Sequence, residues 1–275
     1  MKSKVQIERK KDHSFIIKIT VPTKTIAEEY QKILAEEKEK ITIKGFRKGQ
    51  APLDLAEKKL GKDFIYQRLI QKVINDAYTK TIKKHNLKPI IPPKISLIST
   101  EEAKDWQIEI ISCEAPEIKL DQLLEEVKKI NAENKIWTPE KEEEEKKNQH
   151  QAKQQRIQQV IRVILKTVEV ALPRVLIDYE LTRKLSNLID QLQKVGLTIE
   201  EYLASKRTTI DQLKKHYRQE IEANWKIELA LEKIADENKI KVSQEEINKL
   251  PKTTNPYFAS KLIRQEKTLE YLLSL

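Results

Sequence analysis

The sequence is poor in several residue types that whole classes of fold and chemistry depend on. Only four of its 275 residues are glycine, aromatics make up 5%, and there is one cysteine, Cys113. Few glycines and few aromatics argue against an all-β sandwich or barrel, which uses both repeatedly in turns and strands. A lone cysteine excludes an intrachain disulfide framework and any cysteine-cluster metal site. No stretch approaches the ~18 apolar residues of a membrane span. The opening "MKSKVQIERKKDHSF" lacks a secretory apolar run, so a cytoplasmic location without membrane attachment is expected. His13, His85, His150 and His216 are scattered in no ligand spacing, and there is no P-loop, dinucleotide fingerprint or GxSxG. No catalytic residue, cofactor or metal is therefore expected. Cys113 lies within an apolar strand pattern and reads as a packed core thiol.

Charge and helix formers are abundant. Charged residues make up 35% of the chain, hydrophobic ones 39%, and the net charge is +10. Lys, Glu, Gln, Leu and Ile dominate, a mixture that favours helices. The charge is uneven: residues 1–112 hold 24 basic and 15 acidic side chains, and the remainder 29 and 28. A basic front half joined to a neutral back half points to a polyanionic partner for the front; a solvated lysine-rich surface is the plainer alternative.

Periodicity divides the chain. "KVQIE" and "SFIIKITV" read as a β-hairpin around "RKKDH". "TKTIAEEYQKILAEEKEK" reads as a helix, with Thr25 and Glu28 in capping-box spacing. Pro52 opens a short helix that stops at Gly61, and Asp63 is placed to cap the next, which runs to His85-Asn86. "LKPIIPPK" cannot be helical, and "KISLIS" and "DWQIEIISCEA" supply two further strands. The order implies an α+β N-terminal domain over 1–115, an antiparallel sheet with helices on it. Residues 116–138 read as a linker. From 139 to 275 the pattern is an all-α C-terminal domain of long helical arms, whose first stretch, 139–156, reads as a solvent-surrounded helix with i,i+4 charge pairs.

One segment resists a packing explanation. "KGFRKGQAP" places Gly45 and Gly49, two of the four glycines, around Phe46, Arg47 and Lys48, with Lys44 before them and Pro52 after. Glycines there would weaken helix or strand, yet they let the backbone turn sharply and present a tip. Arg offers a bidentate fork to phosphate or carboxylate, Lys a point charge, and Phe an anchor for a shallow apolar pocket. The other reading is a tight connector with Phe46 tucked onto the helices.

These residues resemble the ribosome-docking signature of bacterial trigger factor, Gly-Phe-Arg-x-Gly followed closely by Pro. The likeness extends through "KLGKDF", "NLKPIIPPK" and "EAPEIKL", and more weakly into "VEVALPRVLIDYEL", which is similar to the entry of that family's substrate-binding domain. The resemblance implies a ribosome-associated chaperone. Gly45, Phe46, Arg47, Lys48, Gly49, Lys44 and Pro52 would dock against protein and rRNA at the tunnel exit, and the helical arms would hold unfolded nascent polypeptides. Ile157, Leu176, Tyr202, Tyr257 and Phe258 are candidate cradle residues, with plain helix packing as the alternative for each. A monomer or weak homodimer would fit.

Trigger factors commonly carry an FK506-binding-type prolyl-isomerase domain between these parts. Only about 25 residues stand there in this chain, without glycine and with Trp137 as the single aromatic, so that activity is expected to be absent. Two other readings remain: a basic RNA-binding protein without clients, and an extracytoplasmic chaperone or secretion factor. RNA-binding sheets interleave aromatics with cations, whereas these strands carry aliphatics.

Overall fold

The computed structural model describes residues 3–101, 104–134, 149–248, 251 and 255–275. The chain divides into two compact units, Met1–Ala115 and Pro116–Leu275.

The first unit is built on four antiparallel strands, β1 (Lys4–Arg9), β2 (Ser14–Val21), β3 (Lys94–Ser99) and β4 (Trp106–Cys113), in the order β1-β2-β4-β3. The register pairs Ile17 with Ile110, Ile19 with Ile108 and Val21 with Trp106. Because side chains alternate between faces, this register gathers all six on one side of the sheet. Helices α1 (Thr23–Lys38), α2 (Leu53–Leu60) and α3 (Lys62–His85) supply the facing surface through Ile26, Ile33, Leu34, Ala56, Ile65, Leu69 and Val73. Burying one such Ile or Leu contributes about 2 kcal/mol, so this layer is the main source of the unit's stability.

Polar contacts fix how the helices sit. Tyr30 packs on Tyr66 with ring centroids 4.9 Å apart, and Tyr66 lies 5.9 Å from Trp106, which ties α1 and α3 to the sheet. The Tyr30 hydroxyl donates to Glu57 of α2 at 2.7 Å. Buried Glu29 accepts from Lys32 at 2.7 Å and lies 3.3 Å from Lys72 on α3. The Lys32 hydrogen bond, ahead of burial acting the other way and of the Lys72 contacts, holds the Glu29 carboxyl below its ordinary range.

The N-terminal cap of α1 differs from expectation. The helix begins at Thr23 after Pro22, two residues before the anticipated Thr25. Asp105, 82 positions away, accepts from the Thr23 backbone N–H at 2.9 Å and from its hydroxyl at 3.0 Å. A tertiary partner thus replaces the local capping box. Helix α3 starts after Gly61 with no side-chain cap, and Asp63 sits in its first turn.

The second unit is helical: α4 (Asp121–Asn134), α5 (Gln149–Thr167), α6 (Arg174–Lys194), α7 (Ile199–Ser205), α8 (Ile210–Glu237), α9 (Gln244–Asn248) and α10 (Pro256–Ser274). Its core joins Leu123 and Val127 of α4, Val160 and Ile164 of α5, Leu229 to Ile234 of α8 and Leu272 of α10. Asn131 is buried and donates its amide N–H to the Leu272 carbonyl at 2.8 Å, locking α4 to the end of α10.

The expected linker over 116–138 is corrected here. Ile118, Leu120, Leu123 and Val127 are buried members of the helical core, so residues 116–134 belong to that unit. Their apolar residues recur at helical spacing, and Lys233 donates to the Ile118 carbonyl. Residues 135–148, including Trp137 and most of the anticipated solvent-surrounded helix, lie outside the described residues.

Only the C-terminal part of α8 enters this core; its N-terminal part pairs with α6 through buried Leu181, Leu192, Leu213 and Ile221. The connection between those two helices, 195–209, holds α7. Thr198 and Thr209 each complete a capping box, with Glu201 and Gln212 respectively.

Candidate functional site

The Gly45–Gly49 segment connects α1 to α2 as a closed, protruding loop. At its base the Gly49 N–H donates to Ile41 O at 3.2 Å and the Phe46 N–H to Ile43 O at 3.0 Å. Ile41 and Ile43 pack against the core of the first unit and Ala51 is buried, so both stems are anchored. Lys59 of α2 donates to the Thr42 carbonyl. Gly45 has φ 90° and Gly49 φ 78°, values that L side chains rarely adopt. At Gly49 a Cβ would also lie 3.2 Å from the Glu39 Cα, so close approach to the end of α1 adds to the requirement.

The tip is exposed from Lys44 to Lys48. Phe46 is 40% exposed, which is unusual for a phenylalanine in a chain with four. Among the described residues Lys44, Arg47 and Lys48 form no ion pair, so the cations are available to a partner. Pro52 is exposed at the start of α2, and the two leucines beyond it, Leu53 and Leu55, are also exposed. Sequence reading missed those leucines: each stands beside a helix start rather than on an apolar stripe.

In the helical unit the structure sorts the candidate cradle residues. Tyr257 is 80% and Phe258 54% exposed at the first turn of α10, with Leu262 exposed one turn later. Tyr202 and Ile157 are half-buried. Leu176 is a correction: it is fully buried in the first turn of α6, where it is packing core and offers no surface. A second exposed apolar set, Ile189, Val195, Leu197 and Ile210, gathers where α6 turns into α8. The signal that could have found it is the apolar "VGL" at a helix end, since a terminus leaves one side without a packing partner.

Between α6 and α8 runs an open groove of about 380 Å³ lined by Glu180, Arg183, Lys184, Asn187, Ile221, Asn224, Trp225 and Glu228. Lys184 pairs with Glu220 at 2.5 Å and lies 4.7 Å over the Tyr217 ring. Its walls carry both charge signs and amides above an apolar floor. Such a lining suits broad, shallow contacts better than one selected small molecule.

Nothing in this arrangement resembles a nucleophile–base pair. Cys113 is fully buried, and burial pushes its thiol up to about 12, with Asp12 nearby adding to the effect. It is the packed thiol that the sequence pattern suggests. Among the described residues no group of three or more His, Cys, Asp or Glu side chains could hold a metal ion. No helix among them is long and apolar enough to cross a membrane.

An α+β unit bearing a glycine-framed cationic loop, followed by a helical unit with exposed apolar ends, defines a class of two-part chaperone-like proteins. The chain belongs to the bacterial trigger factor family: the model for bacterial trigger factor protein (TF) matches residues 3–150, and that for its C-terminus matches 138–270. The two matched stretches overlap, leaving no interval between them for a further domain. The chain is similar to the trigger factor of Streptococcus gordonii, 28% identical over 116 residues, which cover 42% of this chain and 27% of that protein. It is also similar to that of Limosilactobacillus reuteri, 34% identical over 98 residues covering 36% and 22%. The aligned stretch is thus about a quarter of the length of these curated relatives. A solved structure of the trigger factor chaperone, described for promiscuous substrate recognition in its folding and assembly activities, superposes with a TM-score of 0.64. It is 14% identical, covering 98% of this chain and 99% of that one. That likeness bears out the α+β front and the helical back.

Proposed function

We propose that this chain is a ribosome-associated chaperone that docks at the polypeptide tunnel exit through the loop of Gly45, Phe46, Arg47, Lys48 and Gly49. Lys44 and Pro52 flank the contact. The observation that carries the reading is an aromatic and two unpaired cations held out between two glycines of positive φ on anchored stems. Arg47 and Lys48 meet phosphate or carboxylate, and Phe46 enters an apolar depression on the partner. Nascent chains then meet the exposed apolar ends of the helical unit, including Tyr257 and Phe258. Dispersed apolar contacts on stiff helices bind many sequences weakly, as a holdase requires. The site of action is the cytoplasm.

The chain works without prolyl isomerisation, because its two family matches overlap where an isomerase domain would be inserted. Co-sedimentation with ribosomes across a salt series tests the docking claim. Wild type should pellet in a salt-sensitive manner, and the Phe46→Ala/Arg47→Ala/Lys48→Ala variant should stay in the supernatant with unchanged helical content. Equal pelleting of both would remove the loop from the mechanism.

A further inference from the structure

The unpaired cations of the first unit fall largely at the two ends of α3. The loop occupies the end near its first residue. At the other end, Arg9 donates from Nη2 to the carbonyl of His85, the last residue of α3, at 3.0 Å. The Glu114 N–H donates to His13 O at 3.0 Å, and the Glu114 carboxylate accepts from the Lys88 N–H at 2.8 Å. These bonds lace the β1–β2 turn, the end of α3 and the segment after it into one surface. Arg9, Lys10, Lys11, Lys83, Lys84 and Lys88 are all exposed there.

None of these six forms an ion pair with a described residue. Cations elsewhere in the unit do: Lys18 with Glu8, Lys32 and Lys72 with Glu29. The carboxylates at this end are already engaged. Asp12 accepts from the Ser14 N–H at 3.1 Å and hydroxyl at 2.6 Å, and Glu114 is held by backbone. The negative end of the α3 dipole attracts cations, but it amounts to about half a charge. Leu87 and Asn86 also cap it through backbone bonds to Ile82 and Lys83. Six cations exceed that need.

We propose that this end of the first unit is a second nucleic-acid contact, one that grips the phosphate backbone of duplex RNA. No large apolar side chain is exposed within residues 8–14 or 80–90. A protein partner would require an aromatic or aliphatic anchor, and single-stranded RNA would require an aromatic face for stacking bases. What the surface offers is flexible ammonium groups and a guanidinium, which match closely spaced phosphates and ignore sequence. The 24 residues of α3 separate it from the loop by about 36 Å. That exceeds the screening distance of about 8 Å at physiological salt several-fold, so the two contacts act independently and reinforce each other when both engage. The inference rests on the ribosome-docking reading only for the source of the RNA.

The test measures binding of an RNA duplex of about 16 base pairs by fluorescence anisotropy between 50 and 200 mM KCl, a range over which phosphate contacts weaken roughly as a power of salt. The variant is Lys10→Ala/Lys11→Ala/Lys83→Ala/Lys84→Ala, with Arg9 kept because it holds the end of α3. Each lost cation should lower the salt slope by about 0.7 to 0.9, so the slope should fall by about 3. The pair Lys10→Gln/Lys11→Gln should give half that fall, guarding against a folding defect in the larger variant. The loop triple variant should keep most of its duplex affinity. A wild-type slope in the quadruple variant, or tighter wild-type binding to polyglutamate than to the duplex, would overturn the proposal. If that variant behaves as wild type while the loop variant no longer pellets with ribosomes, this inference fails and docking stands.

Discussion

Gly49 is constrained from two directions, by a left-handed backbone and by the Glu39 Cα facing its missing side chain. Gly45 has the backbone constraint alone, with open space where a Cβ would sit. Gly45→Ala should therefore cost about 1 kcal/mol, from strain, and Gly49→Ala distinctly more. Urea denaturation of both variants checks this; equal costs would mean that the loop slides away from α1. The loop was legible in the sequence because glycine is so scarce that two within five residues stand out. Leu176 was misjudged because an apolar residue at a helix start looks the same whether it faces a core or a client. Only the packing of its neighbours decides, and one sequence carries no record of that.

Caps and ion pairs govern the elements. Thr198 and Thr209 each accept from a backbone N–H three residues on, while Glu201 and Gln212 return the bond. Thr209→Ala should cost about 1 kcal/mol in thermal unfolding and fray the start of α8, where exposed Ile210 sits. The two caps were readable from sequence because both partners are local. The cap of α1 was not, since Asp105 arrives from another strand. A pH effect belongs to the same scale. Lys267 of α10 donates to Glu246 of α9, and the Ser243 backbone N–H adds a second bond; together they hold that carboxyl at about 2 against an ordinary 4.5. A depressed carboxyl stabilises the folded state above its unfolded value and loses that contribution as pH falls through the folded one. The α9–α10 contact should thus weaken between about pH 4.5 and 2. Carboxyl NMR should show Glu246 titrating near its ordinary range in Lys267→Ala; an unchanged midpoint would reject the assigned cause.

At the scale of the molecule, a proline-limited refolding assay should show no acceleration by this chain above background; catalysis of that slow phase would contradict the isomerase-free reading. The division at Ala115 was legible in the shift from strand to helix pattern. The membership of residues 116–134 was not, because their partners on α5, α8 and α10 lie far along the chain. Cys113 gives the two units separate clocks. It is the chain's one thiol, it ends the interior strand β4, and burial leaves on the order of one in ten thousand molecules as thiolate at pH 8. A thiol reagent can react only when the sheet opens, so its labelling rate times the unfolding of the first unit alone. Far-ultraviolet circular dichroism, by contrast, is dominated by the helices of the second. Run side by side in one denaturant series, the two signals separate a protein that melts as a whole from one whose arms loosen while its ribosome-facing half stays folded.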